Sequence, residues 1–221
     1  MLRDVKTGQK LLGAVFNGDK DSTCAMYIAT TFGWDIACII NIQKEKSNES
    51  TLIQYQAQAM ALPLIVEQSS GEELADMYEA IKKAKEQYQI TGIIAAGSYE
   101  TISKICKELK LRIFAPLWQK DQIKLLKEMI ECGMEIQICS VTAESLGEKW
   151  LGRKLDMHAY EELVQLQYRI GLHPAGECGE YQSIVLYCPH LFQKRLTITK
   201  AEKHMESEYK GTYAIKGVAL G

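Results

Sequence analysis

From Leu11 to Val141, short apolar runs rich in β-branched residues alternate with amphipathic segments at helical spacing. No other feature constrains the fold as much. The runs are Leu11 to Phe16, Ile36 to Ile42, Leu64 to Glu67, Gly92 to Ala96, Arg112 to Leu117 and Glu135 to Val141. Several are apolar nearly throughout, the pattern of a strand buried on both faces. Between them the periodicity predicts helices over Ser22 to Phe32, Thr51 to Ala61, Gly71 to Tyr88, Tyr99 to Leu109 and Lys120 to Cys132, with Gly33, Gly92 and Gly133 marking their ends. Six strands separated by helices predict an α/β fold built on an open, doubly wound parallel sheet. Ligands of such a sheet gather at the carboxyl ends of its strands, where the strand order reverses.

Beyond Val141 the rhythm changes. Thr142 to Arg153 is polar and tight-turning, and Met157 to Ile170 reads as one amphipathic helix closed by Gly171. A polar loop, Gly176 to Tyr181, then leads into an apolar strand, Ser183 to Tyr187, and two alternating strands, Arg195 to Thr199 and Thr212 to Val218. This tail predicts a smaller C-terminal α+β domain, with a boundary near residue 142: residues 1–142 form the first domain and 143–221 the second.

The charge balance narrows the partners. A net charge of −2 and a pI near 6.1 weigh against nucleic-acid binding. No apolar run reaches the roughly 20 residues of a membrane span, and the first residues lack a signal-peptide core, so the expected compartment is the cytoplasm. The seven cysteines include no CxxC pair and sit mostly in apolar stretches, as reduced thiols do. The spacings of His173, Cys178, Cys188 and His190 match no zinc ribbon or finger.

The chemistry is concentrated where the first run ends, at Asn17-Gly18-Asp19-Lys20-Asp21-Ser22. A strand that turns on glycine into a helix offers unpaired backbone N–H groups and the positive end of a helix dipole to a phosphate. Lys20 adds a mobile positive charge and Ser22 a hydroxyl donor. Gly13 and Gly18 stand as in a G-x-x-x-x-G-K-[ST] loop, but Asp19 intervenes before the lysine, and no strand is followed by G-x-G-x-x-G.

This hexapeptide resembles the S-G-G-K-D-S pyrophosphate loop of the N-type ATP pyrophosphatases. Three later stretches narrow the resemblance. Glu148-Lys149-Trp150-Leu151-Gly152-Arg153 with Leu155-Asp156 is similar to E-S-W-L-G-R-x-L-D, Ala175 to Ser183 is similar to A-G-E-G-G-E-[FY]-E-[ST], and Ala115-Pro116-Leu117-Trp118 matches A-P-L-W. In this order they resemble the diphthine–ammonia ligase family, from about Leu11 to Tyr187. The resemblance implies a nucleotide-binding domain of the adenine nucleotide α-hydrolase type and an ATP-dependent carbon–nitrogen ligase. Such an enzyme converts ATP to AMP and pyrophosphate while amidating the carboxylate of diphthine, a modified histidine on elongation factor 2, with ammonia.

Carried onto this sequence, the resemblance implies that Asn17, Gly18, Asp19, Lys20, Asp21 and Ser22 bind ATP phosphates, with Asp21 helping to place Mg2+. Lys20, Glu177 and Glu180 would be catalytic. Arg153, Glu148, Glu177 and Glu180 would bind substrate or ammonium, the Arg153 fork gripping a carboxylate. The implied partners are ATP, ammonium and, in a eukaryotic or archaeal source, elongation factor 2; a homodimer stays open. Trp118 and Trp150 are expected to pack in the core or at the junction.

Two departures from the family pattern bear on activity. Asp19 replaces a glycine, and a carboxylate ~4 Å from a phosphate oxygen costs on the order of 4 kcal/mol at an effective dielectric near 20. After the fourth strand, Gly97 to Thr101 is shorter than the family's arginine-bearing stretch. A non-catalytic nucleotide-binding protein and a ligase for another acceptor are therefore the alternatives.

Overall fold

The structure is a computed structural model that describes residues 11–43, 48–143 and 146–221. These gather into two compact units. The first runs to Asn17 and includes Asp21–Ser50 and Ala61–Trp118; the second comprises Gly18–Lys20, Thr51–Met60 and Gln119–Gly221.

The first unit is a five-stranded parallel sheet formed by β1 (Leu11–Val15), β2 (Asp35–Gln43), β3 (Leu64–Gln68), β4 (Gly92–Ile94) and β5 (Arg112–Phe114), in the order β3-β2-β1-β4-β5. The order reverses between β1 and β4, so the crevice at their carboxyl ends is the switch point of the sheet. Cys38, Ile39 and Ile40 of β2 are all fully buried, which explains the unbroken apolar run: a central parallel strand has no solvent face. The helices are α1 (Lys20–Thr31), whose first residue belongs to the other unit, α3 (Glu73–Tyr88) and α4 (Tyr99–Glu108). Ala80, Ile81 and Ala84 of α3 and Ile102 and Ile105 of α4 join Cys38, Ile40, Ile65 and Ile93 in one apolar cluster.

The second unit contains most of α2 (Asn48–Met60), then α5 (Gln122–Glu131), β6 (Glu135–Val141), α6 (Met157–Ile170), β7 (Tyr181–Tyr187), β8 (Leu196–Met205) and β9 (Gly211–Leu220). Its sheet is antiparallel, in the order β7-β6-β9-β8. Asp121 caps α5 by accepting from the N–H groups of Ile123 and Lys124, and Asp156 caps α6 through Ala159. α6 ends on Gly171 in the left-handed conformation.

Three expectations are corrected. The sixth run does not extend the parallel sheet: β6 pairs antiparallel with β7 and β9. Its burial explains why, since Ile136 and Ile138 are fully buried while Glu135, Gln137 and Cys139, which alternate with them, are not, the alternation of a half-covered strand. Gly92 does not end a helix but opens β4, and α3 stops on Gln89 in a left-handed conformation. Trp118 is 47% exposed and stacks on Tyr99, ring centroids 4.5 Å apart at 29°.

Candidate functional site

The site grows out of β1. Ala14 and Phe16 are fully buried, so the strand is pinned in the core to its end; the Phe16 N–H donates to the Ile40 carbonyl at 2.9 Å, and Asn41 Nδ2 donates to the Phe16 carbonyl at 2.8 Å. The chain then surfaces at Asn17 and turns at Gly18, which takes φ +82°, before α1 begins at Lys20. The Asn17 N–H reaches the Ser22 hydroxyl at 3.4 Å, tying the two ends of the turn within the first unit. Asp21 lies in the first turn of α1, where the helix dipole favours a negative charge.

Gly18–Lys20 itself is built against second-unit residues. The Gly18 carbonyl accepts from the Val185 N–H at 3.1 Å and from Gln56 Nε2 at 2.9 Å. The Lys20 N–H reaches the Ser183 hydroxyl at 3.4 Å. The Lys20 side chain is almost fully buried, and its Nζ lies 3.6 Å from Oε1 of Glu177, which stays 40% exposed. An ammonium withdrawn from water needs a counter-charge, and here a loop acid distant in sequence supplies it. The separation is beyond hydrogen-bond length, so the attraction is electrostatic and an incoming anion can compete for it.

Glu180 does something else. Its carboxylate accepts from the His173 N–H at 2.8 Å and the Cys178 N–H at 2.9 Å, folding the Gly176–Tyr181 loop around itself. Thr142 adds its N–H to the Glu180 carbonyl at 2.9 Å and its hydroxyl to the Gly179 carbonyl, and the Tyr181 hydroxyl donates to the Pro174 carbonyl at 2.8 Å. The same loop presents Glu177 to Lys20.

Arg153 and Glu148 belong to another group in the second unit. The Arg153 guanidinium forks onto Glu162 at 2.7 and 2.8 Å and lies 4.2 Å from the Trp150 ring centroid. These bonds hold the Glu162 carboxyl below the usual range and raise the Arg153 guanidinium. His158 also reaches Glu162, at 3.0 Å. Trp150 is fully buried, as expected. Glu148 opens a short 3-10 turn, and its carbonyl accepts from Lys203 Nζ at 3.2 Å.

The sequence reading missed Gln56, Ser183 and Asn41. A signal for Gln56 exists: it falls on the face of α2 that also carries Ile53, Ala57 and Met60, all buried, where a polar side chain requires polar partners. Among the described residues no group of three or more His, Cys, Asp or Glu side chains is arranged to hold a metal ion. No helix among them is long and apolar enough to cross a membrane.

A parallel sheet whose first strand runs through a glycine turn into a lysine-bearing helix defines an α/β protein of the strand–loop–helix class. Residues 11–113 match the diphthamide synthase N-terminal domain and residues 121–220 the diphthamide synthase C-terminal domain. Human diphthine–ammonia ligase is 32% identical over 226 residues, spanning 86% of this chain and 84% of that protein. Its zebrafish counterpart is 31% identical over 228 residues, 88% of each chain. The fission yeast protein of that name is longer: the 30% identical match spans 87% of this chain and 36% of it. The chain belongs to the diphthine–ammonia ligase family. A crystal structure described as a "predicted subunit of tRNA methyltransferase" from Methanocaldococcus jannaschii superposes with a TM-score of 0.44 at 17% identity, covering 82% of this chain and 99% of that one.

Proposed function

We propose that this chain is an ATP-dependent amide ligase that activates a carboxylate as an acyl adenylate, releases pyrophosphate, and amidates the activated group with ammonia to leave AMP. The observation that carries this reading is the nearly buried Lys20 ammonium beside the half-exposed Glu177 carboxylate. In the proposed reaction Asn17, Gly18, Asp19, Lys20, Asp21 and Ser22 hold the phosphates. Backbone N–H groups and Lys20 favour the charge that grows on pyrophosphate as it leaves. Lys20 turns from Glu177 to the phosphates, and the released carboxylate then holds ammonium and accepts its proton. Glu180 keeps the loop in shape so that Glu177 meets the substrate. Arg153 and Glu148 contribute on the substrate side, Arg153 with its guanidinium oriented by Glu162.

Mg2+ would supply further charge neutralisation on the phosphates. The donors near the loop are carboxylates, which suit this hard cation, and it takes one or two of them with phosphates and waters. Asp21 is the residue assigned to it. Diphthine on elongation factor 2 is the proposed acceptor, by analogy with the relatives' name, and the cytoplasm the proposed compartment.

The test is incubation with ATP, Mg2+, ammonium and diphthine-bearing elongation factor 2, following AMP, pyrophosphate and the mass of the acceptor. AMP formation that depends on acceptor and ammonium, and is lost in Lys20→Met, supports the reading. Absence of ATP binding by calorimetry, together with no turnover, refutes it. One observation favours a second reading, nucleotide binding without turnover: Asp19 brings a half-buried carboxylate into the loop where the S-G-G-K-D-S pattern it resembles has glycine. Tight ATP binding without AMP formation, and turnover gained in Asp19→Gly, would decide for it.

A further inference from the structure

We propose that Gln56 is the positioning residue of the phosphate loop: its amide holds the Gly18 carbonyl so that the N–H of the Gly18–Asp19 peptide faces the bound phosphates. This inference rests on the reading that the loop receives a triphosphate. Gln56 is completely buried on α2. Its two amide hydrogens go to two backbone carbonyls, Gly18 at 2.9 Å and Val185 at 2.8 Å, while the Val185 N–H donates to the same Gly18 carbonyl at 3.1 Å. One flat amide therefore bridges the loop glycine and β7. α2 is itself anchored nearby in the chain, because the Ala59 carbonyl accepts from the Gln193 N–H at 2.7 Å.

Peptide geometry turns this clamp into a direction. In a trans peptide the C=O and the following N–H point to opposite edges of one plane. With the Gly18 carbonyl fixed toward Gln56 and Val185, the Asp19 N–H is turned to the opposite edge of the plane. Gly18, at φ +82°, turns the chain one residue before α1 begins at Lys20, and the Asp19 N–H lies at that turn. Gln56 Oε1 completes the fit, standing 2.5 Å from where a Cβ at position 18 would lie. A residue needed only for packing would be apolar at such a site, since a buried amide is costly without partners. Here both donors are spent on fixing backbone carbonyls.

Gln56→Met keeps the length of the side chain and removes both donors. Calorimetry of the wild type and this variant, with Mg2+, compares ATP, inorganic pyrophosphate and AMP, with thermal melting as the folding control. The expected result is a loss of about tenfold or more for ATP and pyrophosphate, with AMP affinity and the KM for ammonium unchanged. A residue that merely stabilised the fold would weaken all three ligands together. Equal losses for AMP and ATP, or unchanged pyrophosphate affinity in a folded variant, overturn the proposal. A measurement on the unaltered protein decides if the variant does not fold: the Asp19 amide resonance should shift on adding pyrophosphate and not on adding AMP, and an unmoved resonance overturns it. If the wild type binds neither ATP nor pyrophosphate, the ligase reading fails first; if it binds both and Gln56→Met binds them equally, only the role of Gln56 fails.

Discussion

Gly18→Ala tests how tightly the loop is built. Two terms add. A residue other than glycine at φ +82° costs about 1 kcal/mol or more for its left-handed backbone. The new Cβ also falls 2.5 Å from Gln56 Oε1 and 3.4 Å from its Cδ and Nε2. Gln56 is fully buried and cannot swing out without giving up its bonds to Gly18 and Val185, worth about 1 kcal/mol each net, and stranding a buried amide. The backbone and the two bonds come to about 3 kcal/mol before the stranded amide is counted, shared between folding stability and loop position. Urea unfolding and ATP titration read the two shares. Gly33→Ala is the control: its φ of +71° is similar but nothing lies within 4 Å, so only the backbone term of about 1 kcal/mol applies. If Gly18→Ala loses no more stability than Gly33→Ala and binds ATP as the wild type does, the reasoning about the Gln56 clamp is refuted.

Glu180→Gln should loosen the Gly176–Tyr181 loop by about 1–3 kcal/mol, because a neutral amide cannot accept both backbone N–H groups as the carboxylate does; hydrogen exchange at the His173 and Cys178 amides should rise. The Asp76 carboxyl is held below its ordinary value, chiefly by the Ser70 hydroxyl and also by the Ser69 hydroxyl and nearby N–H groups. Its contribution to stability is complete above the unfolded value of about 3.9 and is lost as pH falls through the folded one. Urea midpoints between pH 5 and 2 should therefore fall less steeply in Asp76→Asn than in the wild type. Burial pushes the Cys38 and Cys106 thiols up to about 12 and about 11, whereas Cys178 is exposed. Brief alkylation of the native protein at pH 8, read by mass spectrometry, should label Cys178 and spare Cys38 and Cys106 until the chain is unfolded.

What the sequence revealed depended on how local the signal was. The burial of β2 on both faces and the periodicity of α3 and α4 are properties of short windows, and the parallel sheet followed from them. The pairing of β6 was not local. Its alternation was visible in Glu135 to Val141, but the succession of strand and helix before it suggested one more turn of the same pattern. Gly18 and Lys20 announced themselves by residue type. Gln56 did not, because a glutamine on a helix reads as solvent-facing until its partners, Gly18 and Val185, are brought to it from elsewhere in the chain. Glu162, which occupies the Arg153 fork, lies outside the motif containing that arginine and was invisible for the same reason.

The placement of Gly18–Lys20 among second-unit residues has a consequence for biosynthesis. Lys20 and its partner Ser183 are 163 residues apart, and Gln56 and Val185 are 129 apart. A ribosome makes the glycine turn long before Ser183 and Val185, which help to hold it, are added. Until β7 has cleared the exit tunnel, the nascent chain carries the motif without the shape. A fragment ending before Ser183 would therefore contain every residue from Asn17 to Ser22 and still lack the loop they form in the whole protein.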